Sequence, residues 1–177
     1  MYIGSQFGDQ TDEEMQVLSQ LGVNNIDQTP PEPWEDWTAD MLKARRERWA
    51  KHDISMEMIH IPLGSQSAFK NGAGAIFMGK SDERDKQIDW MKETVRMCGE
   101  AGIRGCNYNI TILGHLRTPS KTGRGGARVS TFELEKLDQD KPEFEGGPAD
   151  EDEMWERIDH WLKEIMPVAE EYKVQMA

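Results

Sequence analysis

Along the chain, short β-branched or apolar runs alternate with longer stretches of helical period, the pattern of βα units rather than of a helix bundle or a sandwich. The first run is Tyr2 to Phe7. Thr11-Asp12-Glu13-Glu14 then supplies a cap and an acidic first turn, and Met15, Leu18 and Leu21 carry the helix to Gly22. A second strand is predicted over Val23 to Gln28. The proline-rich loop Thr29-Pro30-Pro31-Glu32-Pro33-Trp34 leads to a helix capped at Thr38 and running to about His52. Ser55 to Ile61 forms the third strand, closed by Pro62. After a loop holding Gly64, Gly72, Gly74 and Gly79, Ser81 caps a long helix with Ile88, Met91, Val95 and Cys98 on its apolar face.

Gly102 ends that helix, and Gly105 to Ile110 is predicted as the fourth strand. Residues 111–149 form a loop of a length that is functional or disordered in compact domains. A helix with Met154, Ile158, Trp161 and Ile165 on one face follows, ending near Lys173. Val174 to Ala177 then reads as the start of a fifth strand. Four βα units and the opening of a fifth match the spacing of a (βα)8 barrel, which typically needs ~250 residues. The expected fold is therefore α/β: the N-terminal half of a TIM barrel, one partial domain over residues 1–177. Such a half sheet has two open edges and an uncovered inner face, so it is expected to pair with another copy or with a missing C-terminal half. The alternative is a complete small open α/β domain with helices on both sides.

Composition narrows the partners. Lys and Arg number 21 against 33 Asp and Glu, a net charge of −12, which repels nucleic acid phosphates and anionic membranes. No apolar run approaches the roughly 20 residues of a membrane span, and the first residues lack the pattern of a secretory signal. Cys98 and Cys106 have neither zinc-ligand nor disulfide-framework spacing. A cytoplasmic protein with no nucleic acid and no membrane partner is expected.

In parallel α/β folds, ligands bind beyond the carboxyl ends of the strands. The residues there are Gln6, Phe7, Asp27, Gln28, His60, Asn107 and Asn109, a polar rim suited to hydroxyl groups. His60 is the most suggestive, since an imidazole at a strand end can donate to a ligand or shuttle protons. Glu57, three residues earlier, has the opposite strand parity and shares a face with His60 only across a bulge. Between Glu100 and Glu133 there is no acidic residue, yet Arg104, Arg117, Lys121, Arg124 and Arg128 fall there. Guanidinium groups above strand ends can hold a carboxylate bidentately, so an anionic small molecule is the expected substrate. Phosphate-loop, nucleophile-elbow and zinc-helix signatures are missing, and His52, His60, His115 and His160 are too scattered for a metal site by spacing. Trp90 and Trp161 read as packing residues, whereas Trp34 and Trp37, in the proline-rich loop, are open to a role as a sugar platform.

The Pro-Pro-x-Pro-Trp loop, the strand Met58-Ile59-His60-Ile61-Pro62, the strand end Asn107-Tyr108-Asn109 and the pair Arg117-Thr118 together resemble the N-terminal half of mannonate dehydratases, within the xylose isomerase-like group of TIM barrels. The resemblance implies a lyase of hexuronate catabolism that dehydrates D-mannonate to 2-keto-3-deoxygluconate with Mn²⁺ or Fe²⁺. It implies Arg117 as a carboxylate or hydroxyl clamp, Asn109 as a hydroxyl-binding residue and His60 as a substrate-facing donor. Asn107 and Thr118 complete the implied substrate-binding set. The family's metal ligands and main acid and base lie on later strands, so no catalytic or metal residue is assigned to this chain, which is expected to be inactive alone. Where the family carries Trp before Arg-Thr this chain has His115-Leu116, and its third strand ends in Ile-Pro rather than Glu-Ser. A different sugar acid or sugar therefore stays open. So do a metal-dependent sugar isomerase or epimerase and a non-catalytic, self-associating half barrel, while the charge disfavours a DNA-repair endonuclease of the same superfamily.

Overall fold

The computed structural model describes residues 3–6, 10–65, 67–112, 116–137 and 147–177. Tyr2, Phe7 and His115 lie outside them. The chain forms β1 (Gly4–Gln6), α1 (Asp12–Gln20), β2 (Asn25–Asp27), α2 (Ala39–Ala50), β3 (Ser55–His60), α3 (Asp82–Glu100) and β4 (Gly105–Asn107). A hairpin of β5 (Thr118–Thr122) and β6 (Arg128–Thr131) follows, then α4 (Glu151–Tyr172) and β7 (Gln175–Met176). No helix among the described residues is long and apolar enough to cross a membrane.

Local chemistry explains the boundaries. The Thr11 hydroxyl accepts from the Glu14 amide while the Glu14 carboxylate accepts from the Thr11 amide, and Asp150 and Glu153 repeat this capping box on α4. Thr38 and Ser81 cap α2 and α3 with their hydroxyls. The strands are shorter than the apolar runs that announce them. Past Asn107, the backbone of Tyr108 still donates to Ala177, but Asn109 turns to the carbonyl of Leu63, so β4 stops before Ile110. The segment 111–149 is not structureless: its first half folds into the β5–β6 hairpin, and 138–146 lie outside the described residues.

β1, β2, β3, β4 and β7 form one sheet in that order, with every neighbouring pair parallel. The order never reverses, and right-handed crossovers in one direction leave the helices on a single face. A doubly wound domain needs a reversal, so the small open α/β alternative gives way to half a barrel. The core lies between sheet and helices: Ile26, Met56 and Ile59 from the strands meet Met15, Leu42, Trp49, Met91 and Trp161 from the helices. Gln28, read from the sequence as a rim residue, is buried there and accepts from the indole of Trp49 at 2.6 Å. Trp34 packs against Trp90, and Trp37 is buried with its indole on the carbonyl of Glu32, so both serve packing in this loop.

α3 and α4 pack closely at Gly99, where a Cβ would stand 2.7 Å from the Tyr172 Cβ and 2.8 Å from its carbonyl oxygen. Helix propensity alone favours Gly99→Ala by up to about 1 kcal/mol. The contact with backbone outweighs it, and the substitution is predicted to destabilise the chain by about 1–3 kcal/mol in urea unfolding. A neutral or stabilising result would mean that the two helices do not approach this closely.

Candidate functional site

A single slip in register builds the site. Between β2 and β3, Ile26 lies opposite Met56, but Asp27 lies opposite Met58, so Glu57 is the extra residue of a β-bulge. Side chains alternate faces along a strand, and one inserted residue reverses the faces of all that follow. Met56 and Ile59, three apart, are therefore both in the core at 1% and 0% exposure, while His60 stays half-buried at the strand end. Without the bulge, His60 would point into the apolar layer.

With it, four consecutive strand ends converge. Gln6 is in register with Asp27, and His60 with Asn107. The His60 Nε2 lies 3.0 Å from Asp27 Oδ2, and the Gln6 amide donates to the same oxygen at 3.0 Å. Gln6 also touches the His60 Nε2, and the Asn107 amide nitrogen lies 3.4 Å from it. Burial pushes the Asp27 carboxyl up, but the hydrogen bonds from His60 and Gln6 outweigh it and hold the group below its ordinary value. The bond to Asp27 raises His60 against an opposing effect of burial. The pair is thus biased toward imidazolium and carboxylate. The second carboxylate oxygen of Asp27, Oδ1, is buried with no hydrogen-bond partner. A cleft of about 380 Å³ runs along this face beside Gln6, Asp27, Glu57 and Met58.

Glu57 borders the same cleft, as a bulge permits, but its carboxylate accepts from Ser55 Oγ at 2.6 Å and faces Arg104 at 3.7 Å, toward the start of the strand. It makes no dyad with His60. Asn109 follows β4, and its backbone N–H donates to the Leu63 carbonyl at 2.6 Å. Arg117 and Thr118 belong to the hairpin. The Arg117 guanidinium is exposed and donates to the Leu116 carbonyl at 2.9 Å. The Thr118 hydroxyl donates to the Thr131 carbonyl at 3.2 Å and accepts from the Glu133 amide at 3.1 Å, so it pins the base of the hairpin. Of the rim residues singled out from sequence, the structure brings Gln6, Asp27, His60 and Asn107 together, with Gln6 and Asp27 as direct partners of His60.

Among the described residues, no three His, Cys, Asp or Glu side chains gather as metal ligands. Cys98 and Cys106 are buried and free. The neighbouring Cys98 thiol and burial push the Cys106 thiol well up, which keeps it protonated and unreactive.

No family model matches the chain. Among solved structures, it is similar to mannonate dehydratase from Streptococcus suis serotype 2, with 22% identity and a TM-score of 0.76, over 100% of this chain and 52% of that one. D-psicose 3-epimerase from Clostridium cellulolyticum H10 is similar at 11% identity and a TM-score of 0.63, over 99% of this chain and 51% of that one. A xylose isomerase domain protein from Planctomyces limnophilus follows at 12% identity and a TM-score of 0.55, covering 98% and 52%. The chain spans about half the length of these structures. Its fold is half of a parallel α/β barrel, the architecture it shares with mannonate dehydratase and the xylose isomerase-like enzymes.

Proposed function

We propose that this chain is the substrate-binding N-terminal half of a hydro-lyase that removes water from a sugar acid of the D-mannonate type. The observation that carries the reading is the Asp27–His60 pair at the carboxyl ends of β2 and β3, flanked by the amides of Gln6 and Asn107. Hydroxyl groups both donate and accept, and this set offers both in one place. Arg117, sixteen residues from the nearest acid in sequence and free of an acidic partner among the described residues, is assigned to the substrate carboxylate. Asn109 and Thr118 complete the lining.

Dehydration removes the proton beside the carboxylate, breaks the C3–O bond and returns a proton to the departing hydroxyl, leaving an enol that becomes the 2-keto-3-deoxy acid. His60, its pKa raised by the bond to Asp27, orients a hydroxyl and keeps a proton close to it. A Mn²⁺ or Fe²⁺ ion would stabilise the enediolate charge. The family resemblance assigns the ion's ligands to later strands of the barrel. The buried, unbridged cysteines fit a reducing cytoplasm. Likeness to D-psicose 3-epimerase favours a sugar epimerase or isomerase as the second reading.

With Mn²⁺ and D-mannonate, the complete enzyme is predicted to form 2-keto-3-deoxygluconate; an isomerised sugar instead would select the second reading. Arg117→Ala is predicted to cost about 2–4 kcal/mol in kcat/KM, and an unchanged value would remove Arg117 from the site.

The pair also sets a pH signature. His60 is raised, so its contribution to stability is complete below its unfolded pKa and is lost as pH rises through the folded one. Asp27 is lowered, so its contribution is present above its unfolded pKa and is lost as pH falls through the folded one. Both are in place between about pH 4 and pH 6.5. Asp27→Asn is predicted to lower the His60 pKa in an NMR titration and to remove the pair's loss of stability on either side of that window. An unmoved His60 pKa would mean that the pair does not form.

A further inference from the structure

Gln28 follows Asp27 at the end of β2, and its side chain is fully buried in the layer between sheet and helices. An amide in an apolar layer costs free energy unless it is hydrogen-bonded. Here the indole of Trp49, equally buried in the last turn of α2, donates to the Gln28 Oε1 at 2.6 Å. An apolar pair of similar volume would fill the same space without a polar atom to satisfy, so packing alone does not account for the bond.

The backbone of Gln28 supplies the missing reason. Its N–H donates to the Met58 carbonyl at 3.1 Å, which seats Met58 opposite Asp27 just beyond the bulge at Glu57. Met58 and His60 are two apart on β3 and share a face, and His60 lies 3.0 Å from Asp27. The path from α2 to the site is therefore short: the indole fixes the Gln28 amide, the Gln28 peptide fixes Met58, and His60 stands two residues further on. Asp27 is the residue before Gln28, so one anchor serves both members of the pair. Around His60 stand Gln6, Asp27 and Asn107, and of these only Asp27 is ionisable.

We propose that Trp49 and Gln28 are positioning residues for the strand-end site: their buried hydrogen bond fixes the pairing of β2 with β3 beyond the Glu57 bulge and so holds Asp27 and His60 in contact. This role rests on the Asp27–His60 pair being the site, but it is read from the titration of His60 and needs no substrate. A wrong substrate class therefore leaves it standing.

The test is an NMR titration of His60 in the complete enzyme, with Tm measured on the same samples. Trp49→Phe removes the indole N–H and keeps an aromatic ring, and Gln28→Met removes the acceptor at similar length. Each is expected to lower the His60 pKa by at least about half of the fall that Asp27→Asn produces, because contact with Asp27 is what raises it. In the Asp27→Asn background, Trp49→Phe is expected to move His60 no further. Leu42→Ala opens a cavity in the same core from an earlier turn of α2, and it is expected to lower Tm while leaving His60 unmoved. That control separates positioning from loss of stability, and if one of the two positioning variants does not fold, the other decides. A His60 pKa unmoved by Trp49→Phe and Gln28→Met, a shift that adds to that of Asp27→Asn, or an equal shift in Leu42→Ala would overturn the proposal. An Asp27→Asn variant that leaves His60 unmoved would overturn the pair itself and this role with it.

Discussion

The site depends on one inserted residue. Glu57 bulges out of the β2–β3 pairing, and because strand side chains alternate faces, everything after it changes sides. That reversal sends Ile59 into the core and brings His60 to the end of the strand, 3.0 Å from Asp27. The apolar layer enforces the arrangement. Slipping β3 back by one residue would expose Ile59 and bury an imidazole in the apolar layer, an exchange that loses on both sides.

Parallel order does the rest. Strands laid side by side in chain order, with all helices on one face, place every carboxyl end on the same rim, so a single polar residue per strand is enough to assemble a cluster. Gln6, Asp27, His60 and Asn107 come from four separate units and never approach one another in sequence. The opposite face of the sheet carries the cleft and remains open beside Glu57 and Met58.

Much of this was legible in the residues. Periodicity and capping located all four helices, and Thr11, Thr38 and Ser81 stand where the sequence puts the caps. The strand-end rule brought His60 and Asn107 forward. What the sequence could not display was pairing register: the bulge at Glu57 has no glycine or proline to announce it, so Asp27 stood among the rim residues without being tied to His60. Gln28 misled for a related reason, since a polar residue at a strand end signals a rim position, and here the Trp49 indole satisfies it in the core. In the long segment after β4, glycines and serines conceal a hairpin whose pairing is carried by the Thr118 and Thr131 hydroxyls rather than by apolar alternation.

The account stands on the strand ends being where substrate sits. The most direct measurement is a structure of the complete barrel with D-mannonate bound. The account predicts a substrate hydroxyl within about 2.6–3.2 Å of the Asp27 carboxylate or the His60 ring, with Asn107 on the same ligand. A ligand seated elsewhere in the barrel, with the Asp27–His60 pair closed on itself and out of contact, would contradict it.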